Sequence, residues 1–300
     1  MHRSGFVTIV GKPNVGKSTF LNRVLGQKIA ITSSKPQTTR TALRGIYNDP
    51  DTQIVFIDTP GVHKPKHRLG KIMTETALKT LNAVDLILYM INAVEPVDDN
   101  DATIVDGLEK TKTPVLLIVN KIDLAEDIQR LETLINKYKA MFDFAAVFAI
   151  SALEGIHTKR LLDDLKSLLP EGPKYYPDDM VTDHPETFLI AEMIREKVLH
   201  HTKEEVPHSV AVVIDYMNPS KDRTNMMDIH ATVVVERPSQ KGIIIGKGGA
   251  MIKRIGTEAR KDILALLGMK VFLDLHCKVV KNWRNKAYEL RHFGYKDAVE

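Results

Sequence analysis

Residues 6–18, FVTIVGKPNVGKS, leave little freedom about how the first half of this chain folds. Gly11 to Ser18 has the G-x-x-x-x-G-K-S spacing, directly after an apolar run and directly before STFLNRVLG, which reads as a helix. Such a turn has to join a strand to a helix, because its backbone N–H groups converge on a phosphate only where a helix begins. Four further apolar runs, IVFI (54–57), LILYMI (86–91), VLLIV (115–119) and AVFAI (146–150), alternate with helical patterns up to residue 170. They are apolar throughout, as expected of strands covered on both faces. An α/β domain with a mostly parallel sheet between helices follows.

The same turn predicts chemistry. The backbone from Gly11 through Asn14, Val15, Gly16, Lys17, Ser18 and Thr19 is expected to cradle phosphates. Lys17 would add a point charge on the β and γ phosphates, and the Ser18 hydroxyl would bind Mg²⁺. Asp58-Thr59-Pro60-Gly61 closes the next apolar strand and places a carboxylate where the metal of such a site sits, with Asp58 holding Mg²⁺ through water. D-x-x-G alone is a common turn; its place at a strand end gives it weight. Between them, KPQTTR (35–40) offers Thr38 and Thr39, of which Thr39 is the expected metal ligand; a plain solvated loop is the alternative. Thr39 and Gly61 would also touch the γ-phosphate, ordering the loops around them only in the triphosphate state.

Asn120-Lys121-Ile122-Asp123 follows the strand VLLIV and names the base. A buried carboxylate at Asp123 accepts from guanine N1–H and N2, donors that adenine lacks, so GTP and GDP are the expected ligands. Ser151-Ala152, after AVFAI, would offer a backbone N–H to guanine O6. Each motif lies at a strand end, where open α/β sheets bind ligands.

After residue 170 the pattern changes. Residues 171–185, EGPKYYPDDMVTDHP, carry no helical or strand period and read as a linker between a domain at 1–170 and a second at 186–300. The second mixes a helix (186–201), strand-like runs at 209–216, 229–236 and 271–277, and a further helix, so a smaller α+β domain is expected. Its GIIIGKGGAMIKRIG (242–256) holds another glycine turn, Gly246-Lys247-Gly248-Gly249, read as lying between a strand-like GIII and a helix. It lacks the spacing of the first and has no hydroxyl after a lysine to carry a metal. It fits the G-x-x-G loop of a KH module, whose glycines let the backbone approach single-stranded RNA. Ile252, Ile255, Ala259, Ile263 and Leu267 recur at helical spacing, and Lys253, Arg254, Arg260 and Lys261 form a basic border; a solvated helix face is the bland alternative. Residues 237–291 hold thirteen Lys/Arg against four Asp/Glu, although the whole chain is only +4, so the anionic partner belongs to this domain. Lys278, Lys281, Arg284, Lys286 and Arg291, with Trp283 and Tyr288, extend the basic surface unless the aromatics pack on the core.

Other chemistries are excluded or declined. One cysteine, Cys277, allows no internal disulfide, no apolar run approaches the ~20 residues that span a bilayer, and a reducing cytoplasm fits. His200-His201 reads as charge at a helix C-terminus, and His276-Cys277 lacks partner ligands.

From GKPNVGKS through DTPG, NKID and SA to ERPSQKGIIIGKGGAMIKRIG, the chain resembles the Era-like GTPases of the translation-factor-related class, which carry a C-terminal KH domain. The resemblance implies a GTP-hydrolysing switch that grips the 3′ end of 16S rRNA during maturation of the 30S subunit, in the cytoplasm and as a monomer. Where many GTPases place a water-orienting glutamine after D-x-x-G, this chain has Val62, which can neither donate nor accept. The resemblance implies that K⁺, bound by Asn14, supplies the missing positive charge, making Asn14 catalytic beside Lys17, Thr39 and Gly61. Asn14 as a turn residue bonding its own backbone is the alternative. Two rival roles stay open: an RNA-binding assembly protein whose nucleotide is structural, and peripheral association with the cytoplasmic face of the inner membrane through the basic tail.

Overall fold

The computed structural model describes residues 2–295; the ends of the two domain spans proposed from sequence, residue 1 and residues 296–300, lie outside the described residues. The first unit is a six-stranded sheet in the order β2-β3-β1-β4-β5-β6. Its strands are β1 (Arg3–Val10), β2 (Leu43–Asp49), β3 (Thr52–Asp58), β4 (Leu86–Asn92), β5 (Val115–Asn120) and β6 (Ala146–Ile150). All neighbours run parallel except β2, an antiparallel edge strand on β3. The sequence reading did not include β2: LRGIYND carries Arg44 and Gly45 inside it and breaks the apolar run that marks the others.

Five helices cover the sheet: α1 (Lys17–Leu25), α2 (Arg68–Lys79), α3 (Asp99–Leu108), α4 (Ile128–Met141) and α5 (Thr158–Leu168). Strand β4 shows why its sequence does not alternate. Leu86, Leu88 and Met90 pack with Phe20 and Leu21 of α1 and Leu161 and Leu165 of α5. Ile87, Tyr89 and Ile91 pack on the other face with Ile104 and Leu108 of α3 and Leu134 and Tyr138 of α4. Helix α3 starts on a capping box, in which Asp98 accepts from the Asn100 and Asp101 amides and the Asp101 side chain returns to the Asp98 amide.

Residues 171–185 contain no helix or strand, yet they are not loose. They run along the β2–β3 edge: Val181 O accepts from the Ile46 amide at 2.8 Å, and Gln53 Oε1 accepts from the Tyr175 amide at 2.6 Å.

The second unit holds α6 (Glu186–His201), the short α7 (Val206–Ser209), β7 (Ala211–Pro219), β8 (Met226–Val235), α8 (Pro238–Ile245), α9 (Ala250–Leu267), β9 (Lys270–Val279) and α10 (Ala287–His292). Its sheet is β7-β8-β9, with β7–β8 antiparallel and β8–β9 parallel; the α8–α9 crossover makes the parallel pairing possible. Helices α6 and α9 pack on one face through Ile190, Ile194, Val198, Ile255, Ala259 and Ile263. Part of the other face is covered by Leu69, Ile72 and Met73 of α2, together with Trp283, Leu290 and Tyr295. So α2 belongs to the first unit in sequence and to both in packing.

One expectation is corrected. Gly242 to Ile245 is not strand-like but the end of α8, so the second glycine turn joins two helices. A short apolar run cannot distinguish strand from buried helix. The deciding signals were Pro238 at the first helical position and Gln240, whose buried Oε1 accepts the Glu236 and Arg237 amides at 2.9 Å.

Replacing Ile263, fully buried between α6 and the sheet, by alanine is expected to lower unfolding free energy by about 2–5 kcal/mol. The same change at Ile128, 75% exposed, should cost less than about 0.5 kcal/mol. Urea titrations of both variants compare the two.

Candidate nucleotide site and nucleic-acid interface

The loops named by the motifs converge at the C-terminal ends of β1, β3, β5 and β6, beside the central strand β1, from which chain connections leave in both directions. A side chain fixes their spacing. Asn120, buried, donates from Nδ2 to Val15 O at 2.7 Å, and its Oδ1 accepts the Ala152 amide at 2.8 Å, so it stitches three loops together. Gly16 sits under it at φ 107°, where a Cβ would lie 2.1 Å from Asn120 Nδ2; no other residue fits.

Asn120 thus positions loops with one of its two amide hydrogens, and one sequence-based expectation changes. The N–H groups of Ser151 and Ala152 are both committed, to Ile156 O at 3.1 Å and to Asn120, so neither is available for guanine O6. Asp123 lies in a 3₁₀ turn, Ile122–Leu124, entered through Lys121 in the left-handed region at φ 68°. It is exposed rather than buried as expected.

Lys17 is buried, and its ammonium donates to Gly11 O at 3.2 Å and Lys12 O at 2.8 Å, curling over the loop it is expected to serve. Burial lowers its pKa to about 8, against the opposing pull of Asp58. Asp58 is also fully buried; burial raises its pKa to about 6, opposed by Lys17 and by hydrogen bonds from Ser18 and Thr39. Ser18 Oγ donates to Asp58 Oδ2 at 2.6 Å and lies 2.9 Å from Thr39 Oγ1. Thr39 Oγ1 reaches Asp58 Oδ2 at 3.4 Å, whereas the Thr38 hydroxyl turns back to Lys35 O. Asp58 Oδ1 is buried without a partner. An orphaned carboxylate oxygen beside two hydroxyls is a hard oxygen set that fits Mg²⁺.

Gly61 approaches Pro13, and the Val62 amide donates to Gly11 O at 3.1 Å. The Val62 side chain is buried in the core under α2–α4. Asn14, in the left-handed region at φ 63°, donates from Nδ2 to Ser34 O at 2.8 Å rather than to its own turn, leaving its amide oxygen as a donor atom for a cation. A cavity of about 560 Å³ runs along Asn14, Lys17, Ser18, Thr32, Lys121 and His200, the last from the second unit.

Sequence reasoning missed Lys12, Arg40 and Arg195. Lys12 is buried and pairs with Asp101 at 2.8 Å and Asp98 at 3.3 Å, anchoring the first loop to α3. Its partners are more than eighty residues away, so no local pattern marks it.

In the second glycine turn, Gly246, Gly248 and Gly249 all have positive φ (71°, 58° and 79°). That geometry excludes other residues without strain and leaves the tip, with Lys247 and Gly248, exposed at the start of α9. Lys253, Arg260 and Lys261 are exposed on α9 and pair with no acid among the described residues, whereas Arg254 pairs with Glu258 at 3.2 Å. Of the C-terminal candidates, Trp283 is core, Arg284 is held by Glu236 at 2.6 Å, and Lys278, Lys281, Lys286, Tyr288 and Arg291 are exposed. The declined histidines have partners: His200 meets Thr32 O at 3.0 Å, His201 meets Glu258 at 2.6 Å and His276 meets Asp274 at 3.1 Å.

Comparison with known proteins gives the arrangement a family. The model of the 50S ribosome-binding GTPases matches residues 6–121, and the KH-domain model matches residues 205–284. An Era variant from Aquifex aeolicus, crystallised with GDP and AlF4⁻, is 41% identical over 98% of this chain and 99% of its own, with a TM-score of 0.94. Era in complex with MgGDPNP and nucleotides 1506–1542 of 16S ribosomal RNA is likewise 41% identical, with the same coverage and a TM-score of 0.95. The chain belongs to the Era family of GTPases. Among the described residues of this Era-family chain, no helix is long and apolar enough to cross a membrane.

The raised pKa of Asp58 gives a pH test with two opposite signs. Between pH 3.8 and about 6, the folded, metal-free protein holds a proton on Asp58 that the unfolded chain has already lost. Its contribution to folding stability is therefore full below pH 3.8 and lost as pH rises through about 6. Mg²⁺ binding needs the carboxylate and runs the other way. Mg²⁺ affinity of the GDP complex should fall about tenfold per pH unit below an inflection at or above pH 6, since phosphate charge can only raise that pKa. Calorimetry from pH 5 to 8 measures it, and a flat profile excludes Asp58 from the metal site.

Proposed function

We propose that this chain is a GTP-hydrolysing switch which grips the single-stranded 3′ end of 16S rRNA and acts in maturation of the 30S subunit. In this reading residues 1–170 are the GTPase domain, 171–185 the linker and 186–300 the KH domain; the protein works in the cytoplasm as a monomer. The observation that carries it is the oxygen cluster of Ser18, Thr39 and Asp58. Thr39 comes from a loop that can reach Asp58 only when folded over the phosphate loop, which is how a γ-phosphate is sensed.

The residue roles follow from placement. Amides of Gly11 and of Asn14 to Thr19 cradle the phosphates, and Lys17 gives its ammonium to the β and γ phosphates in place of its carbonyl partners. Ser18, Thr39 and Asp58 hold Mg²⁺, Asp58 through water. When bound, Mg²⁺ neutralises charge on the β–γ bridge. Asp123 accepts from guanine N1–H and N2, becoming buried as the base arrives, and ATP would leave it buried and unpaired. With Val62 in the core, no side chain after D-x-x-G orients water. Asn14 then contributes its amide oxygen to a K⁺ ion, which supports hydrolysis as a fixed positive charge. In the KH domain, the glycine turn and Lys247 take RNA phosphates, with Lys253, Arg260 and Lys261 along the groove and Arg254 available once released by Glu258.

GTP should bind more tightly than ATP by several orders of magnitude in calorimetry, and equal affinities would remove the role of Asp123. Single-turnover GTP hydrolysis should be faster in K⁺ than in Na⁺; intact GTP in both would favour a structural nucleotide. Lys247→Glu with Gly248→Asp should weaken binding of the rRNA 3′ end by about tenfold or more while leaving GTP affinity unchanged. Unaltered RNA affinity would count against the KH assignment. Peripheral inner-membrane association has a separate signature, salt-sensitive binding to anionic vesicles.

A further inference from the structure

The segment from Lys28 to Arg40, which carries Thr39 near its end, is held from two sides. Within the first domain, Asn22 holds Ile29 and Ala30, Asn14 holds the Ser34 carbonyl, His63 meets Gln37, and the Thr39 hydroxyl lies at Ser18 and Asp58. Toward the second domain it is held at several places. Glu196 of α6 accepts from Lys28 Nζ at 2.5 Å and from the Thr32 amide at 2.9 Å. His200 of α6 meets Thr32 O, and Ile31 is buried in the α6–α9 core. Arg195 of α6, wholly buried, donates from Nη2 to Thr38 O.

Arg40, 2% exposed, reaches out of the segment into the second domain. It donates to Val210 O at 2.6 Å, Pro207 O at 3.0 Å and His208 O at 3.2 Å, and lies over the Trp283 ring with 5.8 Å to its centroid. A guanidinium is the one side chain with enough rigidly placed donors to satisfy three carbonyls at the end of α7 at once.

We propose that Arg40 and Arg195 are positioning residues for the GTP reaction. They clamp the chain on either side of Thr39 to the KH domain and so hold its hydroxyl at the metal site. A residue whose preceding carbonyl and following side chain are both fixed has few dihedral states left. The KH domain thereby lowers the entropic cost of closing the loop over GTP. By linkage, the triphosphate must in turn favour the domain arrangement in which α6 and α7 meet this segment. The inference rests on the reading of Thr39 as a Mg²⁺ ligand, and its test separates the two.

In the full-length protein, the affinity of MgGDPNP relative to GDP is measured for the unaltered chain, Thr39→Ala, Arg40→Ala, Arg195→Ala and the Thr39→Ala/Arg40→Ala pair. Each single variant should lower that ratio on the order of tenfold while GDP affinity in EDTA holds. The pair should lose no more than Thr39→Ala alone, because Arg40 acts through Thr39. Equal weakening of both nucleotides, an unchanged ratio for Arg40→Ala, or losses that multiply in the pair would overturn the proposal. Should Arg40→Ala fail to fold, with three buried carbonyls left unpaired, the same cycle between Arg195→Ala and Thr39→Ala decides between coupling and independence. An unchanged ratio for Thr39→Ala overturns the metal-ligand reading on which the clamp depends. Failure of the unaltered chain to bind either nucleotide overturns the GTPase reading before any variant is made.

Discussion

Asp58 is a carboxylate taken wholly out of water, and the arrangement of the site follows from how its charge is managed. One oxygen receives Ser18 and Thr39, the other is left without a partner, and the nearby ammonium of Lys17 is itself desolvated. Burial pushes the two pKa values toward each other, Asp58 up and Lys17 down, so in the absence of ligand both groups are poised to accept a compensating charge. Two desolvated charges of this kind cost folding free energy. The core on both faces of the sheet makes that cost tolerable.

Rigidity of the site depends on side-chain hydrogen bonds between its loops. Asn120 holds the first glycine loop and the Ser151-Ala152 loop at fixed spacing, and Lys12 ties the same glycine loop to the capping box of α3. These contacts precede any nucleotide, so affinity is not spent on ordering the loops. The segment ending at Arg40, like α2, is also fixed from outside its own domain.

Helix α6 explains why the two domains are not independent beads. Ile190, Ile194 and Val198 pack toward α9, the helix that begins at the second glycine turn, while Arg195, Glu196 and His200 hold the segment carrying Thr39. A helix buried on nearly every face, with charges buried as ion pairs, looks wasteful for a simple fold. It makes sense as a shared wall between a phosphate sensor and an RNA grip.

Much of this was legible without coordinates. Strand–loop–helix order, the parallel sheet, the three nucleotide motifs and the helical character of 186–201 are dictated by short-range patterns, because local backbone geometry and two-sided burial select residues every few positions. Strand β2 escaped because an edge strand needs no continuous apolar run, and α8 escaped because four apolar residues fit either structure. Ser151 and Ala152 carry the expected motif, but their amides are taken by Ile156 O and Asn120 Oδ1, a matter of partners and not of spacing. The order of residues along the chain thus dictated which side chains could meet phosphate, metal and base. Folding was needed to bring Arg40, Arg195 and Lys12 to act with them, since these side chains find partners 80 to 170 residues away and no local period records a contact made only when the chain is folded.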